Sequence, residues 1–242
     1  MEWTDRGIVL SARKHGETSL IVSLLTEHNG RHAGLVRGGA GRRSRGIFQP
    51  GNIVNAHWRA RLAEHLGNYS CELLEANSAP LLDSPLELAA LQSATTLLEI
   101  SLPEREKHQN IFKGLVVVLE ALGDPQIWPT VYIKWELGLL KDLGFGLDFR
   151  CCAATGKTDD LIYVSPKTGR AVSRQAGAPY KDIVLSLPQF LIKPEIECNM
   201  PDLLDALKLS GYFLQQHALG GAALPPARQR LVDRVRRQIK TK

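Results

Sequence analysis

The feature that most restricts the fold is a change of hydrophobic period near residue 80. Before it, five short β-prone runs alternate with turns, at 7–12, 19–26, 31–37, 52–58 and 68–74. Asn29-Gly30 separates the second run from the third, and Asn-Gly between two apolar segments is a strong hairpin signal. Five short strands with no helical period between most of them predict a small closed or nearly closed barrel.

Among such barrels, the five-stranded oligonucleotide-binding fold (OB-fold) is the natural candidate for residues 1–80, by analogy with the strand count. After residue 80, apolar residues recur every three or four positions, which predicts a helical domain over 81–242. A segment at 146–180, rich in glycine and short polar residues, interrupts the helices. The predicted class is therefore α+β. The predicted helices begin at Ser84-Pro85 and then lie at 109–122, 129–143, 201–219 and 227–240.

Positive charge is concentrated in the stretch 28–63, which contains seven arginines, no lysine and no acidic residue. The whole chain is formally +5, so the remaining residues sum to −2. Guanidinium groups match phosphate oxygens and keep their charge at any working pH, and glycines allow close backbone approach. We interpret the stretch as a surface for nucleic-acid backbone, against the alternative of a solvated basic hairpin. The predicted DNA-binding residues are Arg31, Arg37, Arg42, Arg43, Arg45, Arg59 and Arg61.

Two further features of the charge pattern leave alternatives open. Trp58 lies beside Arg59 and could stack on a base, although a buried core tryptophan is at least as expected. The tail from Arg228 to Lys242 carries seven bases and one acid on an amphipathic helix. This helix could extend the DNA surface, contact a partner or simply pack as a solvated terminal helix.

Several classes of function find no support in the residues. Gly156-Lys157-Thr158 ends like a phosphate-binding loop, but position 151 is not glycine and a strand, not a helix, is expected to follow. The cysteines do not show the paired spacing of a zinc site, and no hydrolytic motif is present. We therefore predict no enzyme activity, no cofactor and no metal.

The ends and the apolar runs of the chain predict its compartment. The N-terminus lacks the basic and hydrophobic regions of a signal peptide, and the longest strongly apolar run, 115–119, is far too short to cross a membrane. Four cysteines do not form a disulfide framework at this length. The expected location is a reducing cytoplasm, with no membrane partner.

The ordered set of motifs resembles the RecO family of bacterial recombination mediators over essentially the full length. No single motif is diagnostic, but their order is fairly specific. The motifs are Val36-Arg37-Gly38-Gly39, Phe48-Gln49-Pro50-Gly51, the run 135–145 (WELGLLKDLGF), Leu147-Asp148, Cys152, Tyr163-Val164-Ser165, Gly169 and the run 212–217 (YFLQQH).

The resemblance implies a barrel, a helical domain and a small element that binds zinc through four cysteines in some members. Cys152 matches the first ligand position, whereas the other three positions hold Thr155, Ser173 and Ala176. The chain therefore departs from the zinc-binding members, and the segment 146–180 is predicted to be a degenerate zinc-finger-like insertion.

The resemblance also implies a function: binding single- and double-stranded DNA, annealing complementary strands and, with the partner RecR, helping to load RecA onto strands coated by single-strand-binding protein. Contact with the C-terminal tail of that coating protein is a further implication. Lysines on or beside the helical unit are candidates for receiving this acidic tail, namely Lys107, Lys113, Lys134 and Lys141.

Two rival hypotheses come from other classes. An RNA-binding barrel would share the composition, and competition between single-stranded DNA and RNA of matched length would discriminate it. A nucleotide-dependent nucleic-acid enzyme would use Lys157, and binding of ATP with magnesium that is lost on Lys157→Ala would support it.

Overall fold

Five strands build the N-terminal part of the protein, whose computed structural model describes residues 1–42 and 44–241. The strands close into a barrel in the order β1-β2-β3-β5-β4, which confirms the predicted five-stranded barrel. All neighbouring pairs are antiparallel except β3 with β5, which meet in parallel at Leu35 and Asn68. The strands are β1 (Glu2–His15), β2 (Ser19–Thr26), β3 (Gly30–Val36), β4 (Ile53–Arg59) and β5 (Asn68–Glu75).

The first strand is longer than the sequence pattern predicts, since it begins at Glu2 and spans 14 residues. Its N-terminal half pairs with β4, and its C-terminal half pairs with β2. The register shifts between Val9 and Ser11, as a β-bulge does. A bulge bends a strand and increases its twist, so one strand can serve both sides of the closed barrel.

The interior of the barrel is filled by the inward side of each strand. Its buried cluster includes aliphatic residues from β1, β2 and β4, such as Val9, Leu24 and Val54. Trp58 and Phe48 belong to the same cluster and are 2% and 4% exposed. Trp58 is therefore a core residue, and the suggestion that it stacks on a base is wrong.

Two helices pack with the barrel in one compact unit, Met1–Gly123. They are α1 (Pro85–Ser101) and α2 (Gln109–Ala121). The Ser84 side chain makes no capping hydrogen bond, although Ser84 is the residue before the helix. Ser11 on β1 donates a hydrogen bond of 3.1 Å to Glu99, which ties α1 to the barrel wall.

The second compact unit, Asp124–Lys242, is mostly helical and carries a small sheet. Its three strands are ordered β7-β6-β8. This unit begins after α2, whereas the sequence predicts a domain boundary at residue 80. Residue 80 follows the last strand of the barrel, and the domain boundary there stays a prediction. Its elements are α3 (Trp128–Asp142), β6 (Leu161–Val164), β7 (Ala171–Ser173), α4 (Arg174–Gly177), β8 (Leu185–Ser186), α5 (Met200–Phe213) and α6 (Pro226–Thr241).

A buried ion pair holds three helices of the second unit together. Arg228 of α6 donates two hydrogen bonds of 2.9 Å to the carboxylate of Glu136 on α3. Arg228 also donates to the Leu207 carbonyl on α5, and Ser210 of α5 and Tyr132 of α3 donate to the same carboxylate. The first arginine of the predicted basic tail is therefore part of the core and not of a charged surface.

The region 146–180 contains β6, β7 and α4. Cys152 is buried here and accepts a hydrogen bond of 3.3 Å from the Ser173 backbone. Burial works to raise the pKa of Cys152, but hydrogen bonds from Thr155 and Ser173 outweigh it and lower the pKa to about 6. Thr155 and Ser173, which the resemblance matches to zinc-ligand positions, are thus hydrogen-bond partners of Cys152, and the zinc-finger-like character of the segment stays a prediction. Within residues 1–42 and 44–241, no cluster of three or more histidine, cysteine or acidic side chains has metal-site geometry.

Candidate nucleic-acid interface

The loop from β3 to β4 carries the arginine arm, which we define as residues 37–46. The loop leaves β3 through a turn at Gly38, whose φ of +70° lies in the left-handed region that favours glycine. Successive backbone hydrogen bonds then close turns from Gly41 to Gly38 and from Arg45 to Gly41. The Ala40 amide donates to the Thr18 carbonyl at 3.0 Å. The arm is therefore a chain of hydrogen-bonded turns held against the β1–β2 hairpin.

Asn52 fixes the end of the arm where it returns to the barrel. Its buried amide nitrogen donates to the carbonyls of Gly46 at 2.8 Å and Ile47 at 3.2 Å. Its oxygen accepts from the backbone and the hydroxyl of Ser78, which lies beyond β5. Phe48 is buried in the barrel core a few residues before. Sequence reasoning missed Asn52, because a single asparagine between a turn and a strand gives no pattern.

The described arginines of the arm are exposed to solvent. Arg37, Arg42 and Arg45 are exposed, whereas Arg43 lies outside the described residues. Among the residues that the structure describes, no acidic side chain lies within ion-pair distance of these three arginines. Guanidinium groups without internal partners keep their donors available for an external anion such as phosphate.

The β1–β2 hairpin adds two cations that the sequence prediction did not include. Lys14 pairs with Leu20, which in turn pairs with Val36 at the end of β3. Two strand spacings of about 4.8 Å each therefore separate Lys14 from the residue before Arg37. Arg13 is its exposed neighbour. We call the set Arg13, Lys14, Arg37, Arg42 and Arg45 the basic rim.

Sequence reasoning could have found Arg13 and Lys14 from the hairpin alone. The sequence pattern predicts a turn between the first two strands and a hairpin between the second and the third. In a meander of three strands, the first turn and the exit of the third strand lie at the same end. The two basic segments are therefore neighbours by topology, although more than 20 positions separate Lys14 from Arg37 along the chain.

Arg59 is the last residue of β4 and Arg61 follows it, so neither belongs to the arm itself. Asn68 pairs with both Leu35 on β3 and Arg59 on β4. Arg59 therefore lies two strand spacings, about 10 Å, from the end of β3. Its side chain is 78% exposed and lies 3.9 Å from Glu2, a surface ion pair of small energetic value. Arg61 is also exposed.

Arg31 occupies a different environment from the other predicted DNA-binding residues. Its side chain is 16% exposed, and its Nε donates to the Leu102 carbonyl at 2.8 Å. A second nitrogen donates to Glu104 at 3.3 Å. These contacts tie the start of β3 to the segment after α1. Contact of Arg31 with DNA stays a prediction, and the structure gives this residue a second, structural role.

The remaining basic candidates lie on other elements. Lys107 and Lys113 are exposed near and on α2, and Lys134 and Lys141 are exposed on α3. On α6, the arginines beyond Arg228 are exposed, at positions 230, 234, 236 and 237. Their binding of an acidic tail, a partner or DNA stays a prediction.

The glycine-lysine-threonine segment does not form a phosphate-binding loop. Residues 156–158 lie in a loop that leads, through a bend, into β6. A phosphate-binding loop of this type joins a strand to the N-terminus of a helix, whose backbone amides hold the phosphates. The geometry that nucleotide binding needs is therefore not built here. Across residues 1–42 and 44–241, no helix is both long and apolar enough to cross a membrane.

The closed five-stranded barrel and its basic rim define a class, a protein with an OB-type barrel followed by helices. The comparison with known families is more specific. Residues 1–77 match the family model described as recombination protein O N terminal, and residues 82–223 match recombination protein O C terminal. The chain therefore belongs to the recombination protein O (RecO) family.

Similar proteins agree with this membership over nearly the whole length. The chain is 50% identical to the DNA repair protein RecO of Rhodospirillum rubrum, with 98% of this chain and 97% of that protein covered. It is 51% identical to the DNA repair protein RecO of Rhodospirillum centenum, with 98% and 96% covered. The protein of the same name from Phenylobacterium zucineum is 48% identical, with 97% and 98% covered.

Proposed function

We propose that this chain is a non-enzymatic DNA-binding mediator of recombination in DNA repair. It binds single- and double-stranded DNA through the basic rim and anneals complementary strands. The observation that carries the proposal is the set of exposed arginines on a hydrogen-bonded loop beside the β1–β2 hairpin. Family membership and the name DNA repair protein RecO of the relatives support the role in repair.

Phosphate contact suits annealing better than base reading would. Arginine and lysine side chains contact the backbone and fix its position without carrying sequence information. A surface that neutralises phosphates lowers the repulsion between two strands and leaves the bases to recognise each other. Annealing any complementary pair requires this separation of roles.

The protein partners of this chain are proposed from its family membership. With RecR, the protein helps to load RecA onto single strands coated by single-strand-binding protein, and it contacts the acidic C-terminal tail of that coating protein. An acidic tail needs cations on its receptor, and Lys107, Lys113, Lys134 and Lys141 are exposed candidates. Because DNA is the target, the proposed location is the bacterial cytoplasm at the nucleoid.

A strand-annealing assay tests the function directly. Complementary strands, bare or coated with single-strand-binding protein, are mixed with the wild-type chain or with the triple variant Arg37→Ala, Arg42→Ala, Arg45→Ala. The wild type is expected to anneal both kinds of strand. The variant is expected to anneal at least about tenfold more slowly, because it binds single strands more weakly. Three lost phosphate contacts reduce the slope of log affinity against log salt concentration by about 2.

A matched control removes the same charge elsewhere. Lys167, Lys181 and Lys193 are exposed in the second unit, and their triple alanine variant is expected to anneal like the wild type. Failure of the wild type to anneal coated strands would contradict the mediator role. Single-stranded RNA of matched length is the competitor, and preference for RNA over DNA would favour an RNA-binding barrel instead.

A further inference from the structure

An aromatic cluster lies at one end of the barrel, away from the hairpin tip that carries Lys14. Trp3 of β1 stacks on Trp58 of β4, with ring centroids 5.6 Å apart and planes inclined by 18°. His32 of β3 meets both rings edge-on, at 5.2 Å and 4.8 Å. Trp58 and His32 are buried, whereas Trp3 is only half-buried. Trp3 is therefore the outer ring of a rigid aromatic stack.

A cavity of about 400 Å³ opens onto this stack. Trp3, His32 and Trp58 are its aromatic lining residues, and Asn29 adds an amide. Two cationic residues from the segment between α1 and α2, Arg105 and Lys107, also line it. Aromatic rings and cations that line one cavity match a nucleotide, which has an aromatic base and an anionic phosphate.

Hydrogen bonds to backbone carbonyls hold Arg105 in place. The Arg105 amide donates to the Arg31 carbonyl at 2.7 Å, and its guanidinium donates to the carbonyls of Glu64 and His65 at 3.1 Å. Arg105 has a φ of +65°, which is uncommon for a residue other than glycine. Such conformations persist only where the surroundings impose them, and they are frequent at ligand sites. Arg105, the only base among seven acids in 72–106, is therefore fixed in the lining of this cavity.

One acidic residue, Glu2, lines the cavity, and it lies 3.9 Å from Arg59. Glu104, which is not among the lining residues, lies 3.3 Å from Arg31. In the described part of the chain, no acid is within ion-pair distance of Arg105 or Lys107. Burial lowers the pKa of His32, which keeps its ring neutral beside the tryptophans.

We propose that this cavity receives one unpaired base of single-stranded DNA, stacked on Trp3, with Arg105 and Lys107 on the adjoining phosphates. The inference rests on the proposed function and deepens it. The basic rim contacts phosphates and accepts one strand or two, whereas the cavity takes only a base that is out of a duplex. A base in a duplex has to be unpaired and unstacked before it can enter, at a cost in free energy. The cavity therefore gives the protein a preference for single strands.

The test compares Trp3→Leu with Trp3→Phe, which keeps an aromatic ring, on two single-stranded ligands of equal length. One ligand is oligo-dT, and the other has the same backbone with every base removed. Stacking of a base typically changes affinity by a factor between about 5 and 150. The wild type and Trp3→Phe are expected to prefer oligo-dT within this range, and Trp3→Leu is expected to bind both ligands nearly equally. Duplex binding is expected to change less than twofold.

Lys107→Gln gives a readout that does not depend on the core, because Lys107 is exposed. It is expected to lower the salt slope of single-strand binding by about 0.7 and to leave duplex binding unchanged. Unfolding midpoints identify any Trp3 variant that fails to fold, in which case Lys107→Gln and the base-free ligand decide the outcome.

Two failures are distinguishable. A wild-type chain that bound no DNA would contradict the proposed function itself. A wild-type chain that bound DNA but did not distinguish oligo-dT from the base-free backbone would overturn the cavity alone. Equal losses of single-strand and duplex binding in Lys107→Gln would also overturn the cavity.

Discussion

The arginine arm and helix α6 look alike in sequence and differ in structure. Both are arginine-rich segments with few acidic residues. The arm presents Arg37, Arg42 and Arg45 to solvent, whereas α6 buries Arg228 against Glu136. The difference lies in the partner, since Arg228 meets a carboxylate on another helix and the described arm arginines meet none.

The energetic consequences of the two environments are opposite. Burial works to lower the pKa of the Arg228 guanidinium, but the neighbouring Glu136 outweighs it and holds the pKa above its ordinary value. Two charges taken out of water depend on each other, so the loss of one leaves the other unpaired. Removal of an exposed arginine changes the free energy of unfolding little, so such a residue acts mainly through an external partner. A run of arginines in a sequence therefore indicates function only once its partners are known.

The largest effect on stability is expected from Arg228→Ala. This change leaves the Glu136 carboxylate buried without its cation, which typically costs about 3–5 kcal/mol in the free energy of unfolding. Denaturant unfolding measures it, and Arg234→Ala on the exposed side of the same helix is the control, expected within about 0.5 kcal/mol of the wild type. Equal unfolding midpoints for Arg228→Ala and Arg234→Ala would contradict this account, because the buried arginine would then stabilise the fold no more than an exposed one.

Replacing both members of the buried pair sharpens the same contrast. The double variant Glu136→Leu, Arg228→Met leaves no unpaired charge, and apolar replacements of buried ion pairs are often neutral or stabilising. It is expected to recover about 2 kcal/mol or more of the loss seen in Arg228→Ala. A double variant that is less stable than Arg228→Ala would show that the hydrogen bonds of Ser210 and Tyr132 dominate the network instead.

Asn52→Ala tests how the arm is held. The change removes the side chain that joins Gly46 and Ile47 to Ser78, and buried groups left without hydrogen bonds cost about 1–3 kcal/mol. DNA affinity is also expected to fall, because a less ordered arm loses more entropy on binding. The salt slope is expected to stay near the wild-type value, since every arginine is still present. A change of slope equal to that of the triple arm variant would count against a positioning role.

Arg31→Ala probes the intermediate case of a half-buried arginine. Its bonds to the Leu102 carbonyl and Glu104 predict a loss of about 1–2 kcal/mol in stability, smaller than that of Arg228→Ala. If Arg31 also contacts phosphate, the salt slope of DNA binding falls by about 0.7–0.9 as well. Unfolding and salt titration on the same variant separate the two roles. An unchanged slope would limit Arg31 to its structural contacts.

The sequence predicted the barrel because its five β-prone runs are short and bounded by turn signals, although β1 is longer than its run. It predicted the α5 and α6 helices from apolar residues that recur every three or four positions, but placed the end of the first of these helices at 219. The regular helix ends at Phe213, and the wider turn Leu214–Ala218 continues it. A change of helix type of this kind leaves no apolar period to recognise.

The long-range contacts could not be predicted from the residues alone. The burial of Arg228 depends on Glu136, 92 positions earlier, and that of Arg31 depends on a segment 71–73 positions later. Trp3 belongs to none of the strand, charge or motif patterns in the sequence, although it lines the cavity. The signal for it would have been the extension of β1 to Glu2, which the polar start of the chain conceals.

The salt dependence of DNA binding tests the central claim most directly. Log affinity for single-stranded DNA is measured against log salt concentration for the wild type and for the variant Arg37→Ala, Arg42→Ala, Arg45→Ala, with the Lys167, Lys181, Lys193 alanine variant as control. The account predicts a slope about 2 units smaller for the arm variant, with a free energy of unfolding within about 0.5 kcal/mol of the wild type. An arm variant with the wild-type slope would contradict the account, because the arm would then contact no phosphate.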